Sequence, residues 1–534
     1  MRKEIETFAA FMTEKWYALP TLSAILLVAT FYPFNLWMLA PVALTPLYYF
    51  ATLSHRFGNR KIFLGAMLTG LLFAFSLAYM SVIQFHWLTQ VYLFEYAVRI
   101  SFVPIALASA SMCGASLLAY GIVRKRLMAR SNGSISSRML AVFFGAGLYT
   151  LSEIILGMAF KGYYLGTLAY ALHKVPFMVS LASLGGTSFV SFLVALTSVS
   201  LVEAFDGGRR ATLMVLAGIV VTIGLHQTSS LIFRNNVPSA SSVSIALIQN
   251  NDRSDAVFGS VENGSFKLDG PARLLEEASK GSQDLIIYPF SPVNGAIQVG
   301  PAGQSLNKNI LVATDTQVGA WIASHVPADT VVMTWSTVYE KGIFTNEALF
   351  WKNGAIASRY AKRRLFPFMD YTPAFAQKIG LFSTPIDGTA GPEGQAPLLI
   401  GDVPVRSVIC SEINDQGVFR RDSRTSHLII NAGSEAMFAD DAVSTFNFAS
   451  SKYRAAENGI TLVRANKFGP SGIIDPRGRA LDETSFNEDK ILFRTIHPEA
   501  SGQTPFNRTG NAPIYLIVLL SLLLPLWASR SKKA

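Results

Sequence analysis

Apolar positions along this chain fall into two regimes. Seven long apolar runs crowd the first 225 residues: Trp16 to Tyr32, Leu36 to Thr52, Ile62 to Ile83, Ile100 to Val123, Leu140 to Phe160, Val179 to Ala204 and Ala211 to Leu225. An eighth, Pro513 to Trp527, follows near the last residue. A helix needs about 20 mainly apolar residues to cross the hydrocarbon core of a bilayer, so the runs predict eight transmembrane helices. Between the seventh and the eighth the apolar runs are short and bounded by polar residues. Val243 to Ile248, Asp284 to Tyr288, Ile310 to Ala313, Val405 to Ile409, His427 to Ile430 and Ile460 to Arg464 read as mostly buried strands. Leu274 to Lys280 and Phe446 to Asn458 read as helices between them, which predicts an α/β layered domain with its chemistry at strand ends. The pattern thus divides the chain into a seven-helix membrane domain over residues 1–235, an α/β domain over 236–511, and a last helix with a basic tail over 512–534. Asn235 to Ser242, with Pro238 and three serines, reads as the linker.

Composition fits this division, with 50% hydrophobic and 15% charged residues and a mean hydropathy of +0.34. The net charge of +10 invites a nucleic-acid reading until the cations are located. They cluster at alternate ends of the apolar runs, as in Arg56, Arg60 and Lys61, Arg124, Lys125 and Arg126, and Arg530, Lys532 and Lys533, whereas the opposite short loops hold Arg99, Lys161 and Lys174. Cationic loops resist translocation, so both termini are expected in the cytoplasm and the α/β domain on the outer side. The first run has the basic flank of a signal peptide but lacks a small-residue cleavage pattern, and apolarity resumes after Pro33. Glu153 and Cys113 fall inside predicted crossings, where an ionisable Glu is either functional or a hydrated packing group. The outer loops are rich in aromatics, among them Trp87, Tyr92, Tyr163 and Tyr164, which read as an interfacial belt. With one cysteine in the membrane and one at Cys410, no disulfide is expected. The chain has no metal-ligand spacing, no Gly-rich phosphate loop and no nucleic-acid module, so no metal, cofactor or nucleic-acid partner is expected.

Three places in the α/β domain could carry chemistry. The run Val405 to Ile409 ends at Cys410, followed by Ser411 and Glu412, which puts a thiol at a strand terminus with a carboxylate two residues on. Taken alone, a Cys there is a small hydrophobe rather than a nucleophile. The second place is Tyr360 to Tyr371 (YAKRRLFPFMDY), with Lys362 and Asp370, and the third is Asp284 to Pro289, running into Phe290. In this order the three resemble the carbon-nitrogen hydrolase (nitrilase) superfamily, and the whole chain resembles its membrane-embedded branch, the apolipoprotein N-acyltransferase family of bacterial inner membranes. Tyr32 to Trp37 (YPFNLW) resembles the family's motif between its first two crossings, Val243 to Asn250 (VSIALIQN) its first domain strand, and Val408 to Ile413 (VICSEI) its Cys segment. Asn431 to Phe438, Tyr453 to Gly459 and Arg464 to Gly478 resemble the remaining blocks.

The resemblance implies an eight-helix membrane bundle carrying a nitrilase-like αββα sandwich on the periplasmic side of the inner membrane. It implies a monomeric acyltransferase whose thiolate takes an acyl chain from a phospholipid and hands it to the α-amine of a diacylglyceryl lipoprotein. Cys410 is then the nucleophile, Lys362 the oxyanion stabiliser, and Glu412 and Asp370 the supporting carboxylates, with Tyr288, Phe290 and Phe438 lining the substrate pocket. A neighbouring Lys would also lower the thiol pKa. One member of the family's set is missing. Where the family reads Trp-Pro-Glu, with that Glu as general base, this chain reads Tyr288, Pro289, Phe290. Met369 and Asp370 stand for Gly-Glu, Ser411 for Tyr, and Ser434 to Met437 for Asn-Asp-Ala-Trp. A positioned base contributes about 10² to 10⁴ in rate, so three readings follow: an acyltransferase in which Asp370 or Glu412 serves as base, a catalytically impaired relative that binds lipid or lipoprotein, and a membrane-tethered hydrolase of another C–N bond.

Overall fold

The computed structural model describes residues 14–78, 92–159, 166–207, 209–234, 241–251, 269–289, 296–300, 312–367, 370–378, 387–435, 442–498 and 504–530. These form two compact units, a helical one and an α/β one that comprises Phe233–Asn507. In the helical unit, five helices among the described residues are long and apolar enough to cross a membrane: Ser54–Leu77, Ala106–Ser131, Ile135–Ala159, Thr187–Phe205 and Ala512–Arg530. The first apolar run folds as the shorter helix Ala18–Thr30, and the seventh lies inside Arg209–Arg234.

The second run departs from the single helix expected of it. Leu36 to Thr52 breaks into a 3₁₀ turn, Trp37–Leu39, and two short helices, Ala40–Ala43 and Thr45–Thr52. Pro41 and Pro46 are the cause: proline lacks the N–H that an inner helical position needs, and each sits in a first turn, where the helix must restart. Small residues let other helices meet closely. A Cβ on Gly147 would lie 2.8 Å from the Ser521 Cβ, which joins Ile135–Ala159 to Ala512–Arg530. Arg124, named among the loop cations above, and Arg138 are bound to buried Glu203, at 2.5 Å from the Arg124 Nε and 2.8 Å from an Arg138 Nη. Glu153, left open by the sequence, accepts the Leu168 N–H at 2.7 Å and so caps the turn Leu168–Leu172.

The α/β unit runs through β1 (Val243–Gln249), β2 (Leu285–Ile287), β3 (Ala296–Gln298), β4 (Val312–Thr314), β5 (Val331–Glu340), β6 (Ile343–Lys352) and β7 (Ala355–Ala361). It continues with β8 (Leu398–Ile400), β9 (Val403–Ile409), β10 (Leu428–Ser434), β11 (Thr461–Lys467), β12 (Gly472–Ile474), β13 (Ala480–Glu483) and β14 (Lys490–Ile496). One sheet has the order β14-β1-β2-β5-β3-β4, with β6 on β5 and β7 on β6, and the other the order β13-β12-β11-β10-β9-β8. Successive side chains on a strand point to opposite faces, and here both faces are apolar. Val243, Ile245 and Leu247 of β1 share a core with Val405 and Ile409 of β9 and with Leu428 and Ile430 of β10, so that core lies between the sheets.

The alternate residues pack outward. Ala246 and Ile248 meet Leu274, Leu275, Val318 and Ile322 from the helices Asp269–Ala278 and Asp315–His325. Val408, Ile429 and Leu462 meet Val418, Phe419 and Phe448 from the helices Gln416–Ser423 and Ala442–Asn458. Four layers, helix–sheet–sheet–helix, result. The expected strands at Val243, Asp284, Val405, His427 and Ile460 all lie within this framework, whereas the long hairpins of β5, β6 and β7 were not foreseen. Their polar positions are buried by pairing with one another: the Trp351 Nε1 donates to Thr334 at 2.9 Å, and Arg359 bridges to Glu347 at 2.6 Å.

Candidate active site

β9 and β10 run parallel, as do β10 and β11, so the residues just past their ends are brought together at one edge of the second sheet. Cys410 follows the last residue of β9 and opens the 3₁₀ turn Cys410–Asn414. Its φ is +49°, the left-handed region that costs a non-glycine residue about 1–3 kcal/mol unless its surroundings hold it. Two bonds from the Asn431 amide, to the Val408 and Cys410 carbonyls at 3.2 Å each, pin this turn to the neighbouring strand. Cys410 as a residue is partly exposed at this sharp corner.

Lys362 follows the last residue of β7, its backbone held by the Asn346 carbonyl at 2.8 Å. Its ammonium is buried and bonds the Asp370 Oδ2 at 2.6 Å. The same oxygen accepts the Phe366 N–H at 2.6 Å, and Asp370 Oδ1 accepts from the Asn346 side-chain amide at 2.6 Å. Asp370 is therefore an acceptor fixed against Lys362. Asn346, which the sequence did not single out, is the residue that orients it, and the Thr337 hydroxyl in turn donates to the Asn346 Oδ1 at 3.2 Å.

Glu412 has a different task. Fully buried, it accepts from the Tyr360 hydroxyl at 2.9 Å, the Ile409 N–H at 2.9 Å, and the Arg363 and Arg364 N–H groups at 2.8 and 3.0 Å. One carboxylate thus ties the Lys segment to the Cys turn. Burial pushes its pKa up, while the backbone donors and Lys362 pull it back. Glu412→Gln would turn an NH₂ toward donors that need an acceptor, and hydrogen bonds to a buried charge are worth about 1.5–3 kcal/mol each. The expected loss is about 3 kcal/mol of stability, to be read as a lowered unfolding midpoint of the full chain in detergent. An unchanged midpoint would remove Glu412 from its tying role.

The field at the thiol is mixed. Burial pushes the Cys410 pKa up, Lys362 pulls it down, Asp370 and Glu435 push it up again, and Arg464 pulls it down. The net shift is upward. In a Cys113→Ser background, alkylation of Cys410 by iodoacetamide should therefore keep accelerating above the ordinary thiol pKa of about 8.5. Lys362→Met removes the cation that most strongly opposes this shift and should move the midpoint of the alkylation profile higher still. A midpoint at or below the ordinary value would contradict this electrostatic picture.

Of the other expected site residues, Tyr288 follows β2 and lies in the apolar layer between the first sheet and its helices, with its hydroxyl 3.4 Å from the Asn250 amide. Phe290 and Phe438 lie outside the described residues. The Ser411 hydroxyl is buried and has no hydrogen-bond partner among the described residues. Glu435, noted in the sequence only as a departure, is a buried carboxylate that meets Arg464, Asn447 and Asn466. No group of His, Cys, Asp and Glu that could hold a metal occurs among the described residues.

Comparisons with known proteins place both units. The family model described as the apolipoprotein N-acyltransferase N-terminal domain matches residues 23–200, and the carbon-nitrogen hydrolase model matches residues 294–506. An apolipoprotein N-acyltransferase of Rickettsia bellii is 32% identical over 174 residues, 32% of this chain and 35% of that protein. The chain therefore spans about a third of that relative. It spans more of the one from Haemophilus influenzae, 25% identical over 72% of this chain and 73% of the other, and of the one from Bradyrhizobium diazoefficiens, 24% identical over 76% of each. Among solved structures, a CN-hydrolase superfamily protein from Xanthomonas campestris aligns with 48% of this chain and 91% of its own at 17% identity, with a TM-score of 0.34.

Proposed function

From the premise that this chain belongs to the apolipoprotein N-acyltransferase family, we propose that it moves an acyl chain from a phospholipid to the N-terminal amine of a diacylglyceryl lipoprotein. The observation that carries the reading is a thiol at a strand end, in a left-handed corner, within the electrostatic reach of the buried Lys362–Asp370 ion pair. In the first half-reaction the Cys410 thiol loses its proton to the Lys362–Asp370 pair and the sulfur attacks the ester carbonyl. The oxyanion is held by the Lys362 ammonium, and collapse releases the lysophospholipid, which takes up a proton. In the second, the lipoprotein α-amine attacks the thioester, the amine proton passes to the Lys362–Asp370 pair, and the departing sulfur takes it up as the Cys410 thiol is restored and an amide remains. Asp370 rather than Glu412 takes the base role, because it contacts Lys362 whereas Glu412 spends its oxygens on Tyr360 and three backbone amides. Eight crossings of the bacterial inner membrane, with the α/β unit on the periplasmic side and the chain a monomer, complete the proposal.

Phe290, in the place of the family's base, favours a second reading, a lipid- or lipoprotein-binding relative that performs no transfer. Product analysis separates the two. Purified protein is given phospholipid and a diacylated lipopeptide, with and without a blocked amine. The acyltransferase reading predicts a gain of one acyl chain on the free amine and none on the blocked one. No product from the native chain, with product from Phe290→Glu, would support the binding reading, and free fatty acid as the main product would indicate a hydrolase.

A further inference from the structure

The proposed chemistry leaves a buried carboxylate beside the nucleophile unused. Glu435 follows the last residue of β10, and its Oε1 accepts from Arg464 and from the Asn447 amide at 2.7 Å, while its Oε2 accepts from Asn466. Packing around it is tight: a Cβ on Gly469 would lie 2.0 Å from the Glu435 Oε2. Arg464, on β11, uses its second Nη to bond the Asn431 Oδ1. That contact fixes which way the Asn431 amide faces, so its Nδ2 must turn toward the Cys410 carbonyl at 3.2 Å. A buried ion pair is a weak stabiliser, so its value lies in what it holds.

We propose that Glu435 is a positioning residue for the Cys410 nucleophile, acting through Arg464 and Asn431 to lock the left-handed turn that presents the thiol. The inference rests on the acyl-transfer reading of Cys410 and adds to it a relay across three parallel strands. Glu435 is engaged by Arg464, Asn447 and Asn466, and the positioning role follows from those contacts. The charges facing Cys410 form two pairs, Lys362 with Asp370 and Arg464 with Glu435. Neutralising Glu435 leaves Arg464 uncompensated, so thiolate formation becomes easier while the turn loosens. The two effects point in opposite directions, which a purely structural role would not produce.

The test uses the full chain in detergent with Cys113→Ser, so that Cys410 is the single thiol. Glu435→Gln should lower kcat for acyl transfer by about 100-fold with KM little changed, while the midpoint of Cys410 alkylation shifts to lower pH. Arg464→Lys, which keeps the charge and removes the fork, should cost a similar factor. Because both act along one path, the double variant should be no worse than the more impaired single one. An unchanged kcat, a kcat loss with an unmoved alkylation midpoint, or losses that multiply in the double variant would each overturn the proposal. If the native chain transfers no acyl group, the acyl-transfer reading fails, and the alkylation midpoint of Glu435→Gln alone decides the positioning role. Should Glu435→Gln not fold, Arg464→Lys decides it by the same loss of kcat or by its absence.

Discussion

Cys410→Ala should lower the rate of acyl transfer by more than about a thousandfold, the largest effect of any single substitution in this chain. Without sulfur no thioester can form, and the remaining groups can only polarise a bound ester toward direct attack by the amine. The α/β unit should stay folded, because Cys410 is partly exposed and its turn is held by Asn431 and by Glu412 through the Ile409 amide. Alanine also tolerates the φ of +49° no worse than cysteine does. Loss of transfer with an unchanged unfolding midpoint is therefore the expected pair of results. Transfer at the native rate would dismiss Cys410 as nucleophile.

Lys362→Met should cost about 100- to 1,000-fold in kcat, the range seen when one oxyanion donor is removed. The side chain is nearly as long and can fill the buried space, so the change isolates the charge. It also leaves Asp370 without its ion-pair partner in a buried place, a penalty of about 3–5 kcal/mol when one member of such a pair is removed. Lys362→Met with Asp370→Asn should for that reason be more stable than Lys362→Met alone, yet no more active. If the double variant regained activity, the pair would be structural and the oxyanion would be held elsewhere.

Cys410 stood out at the end of the apolar run Val405 to Ile409, whereas Lys362 stood out only through the segment Tyr360 to Tyr371, and both residues lie just past strand ends. The α/β alternation was legible from the apolar stretches of β1, β9, β10 and β11, which are mostly buried, while the αββα layering came from the family resemblance. What the pattern hid was polar structure that closes on itself. Asn346 sits on β6 among Thr345 and Glu347, and nothing local marks it as the residue that holds Asp370. Glu412 was expected as a supporting carboxylate, with the base role as its alternative, and the four donors that tie it to two segments could not be read from its place two residues after Cys410. Glu435 and Arg464 are 29 residues apart in sequence, and only the pairing of β10 with β11 makes them partners. In the helical unit, hydropathy located the apolar runs but could not weigh Pro41 and Pro46, which break the second of them into pieces.

The central claim is that Cys410 carries an acyl group in transit, and intact-mass measurement tests it most directly. Purified protein incubated with phospholipid and no acceptor should gain the mass of one long acyl chain. The adduct should be released by hydroxylamine, lost on adding a diacylated lipopeptide, and absent from Cys410→Ala. A native chain that stays unmodified, or an adduct that persists in Cys410→Ala, would contradict the account.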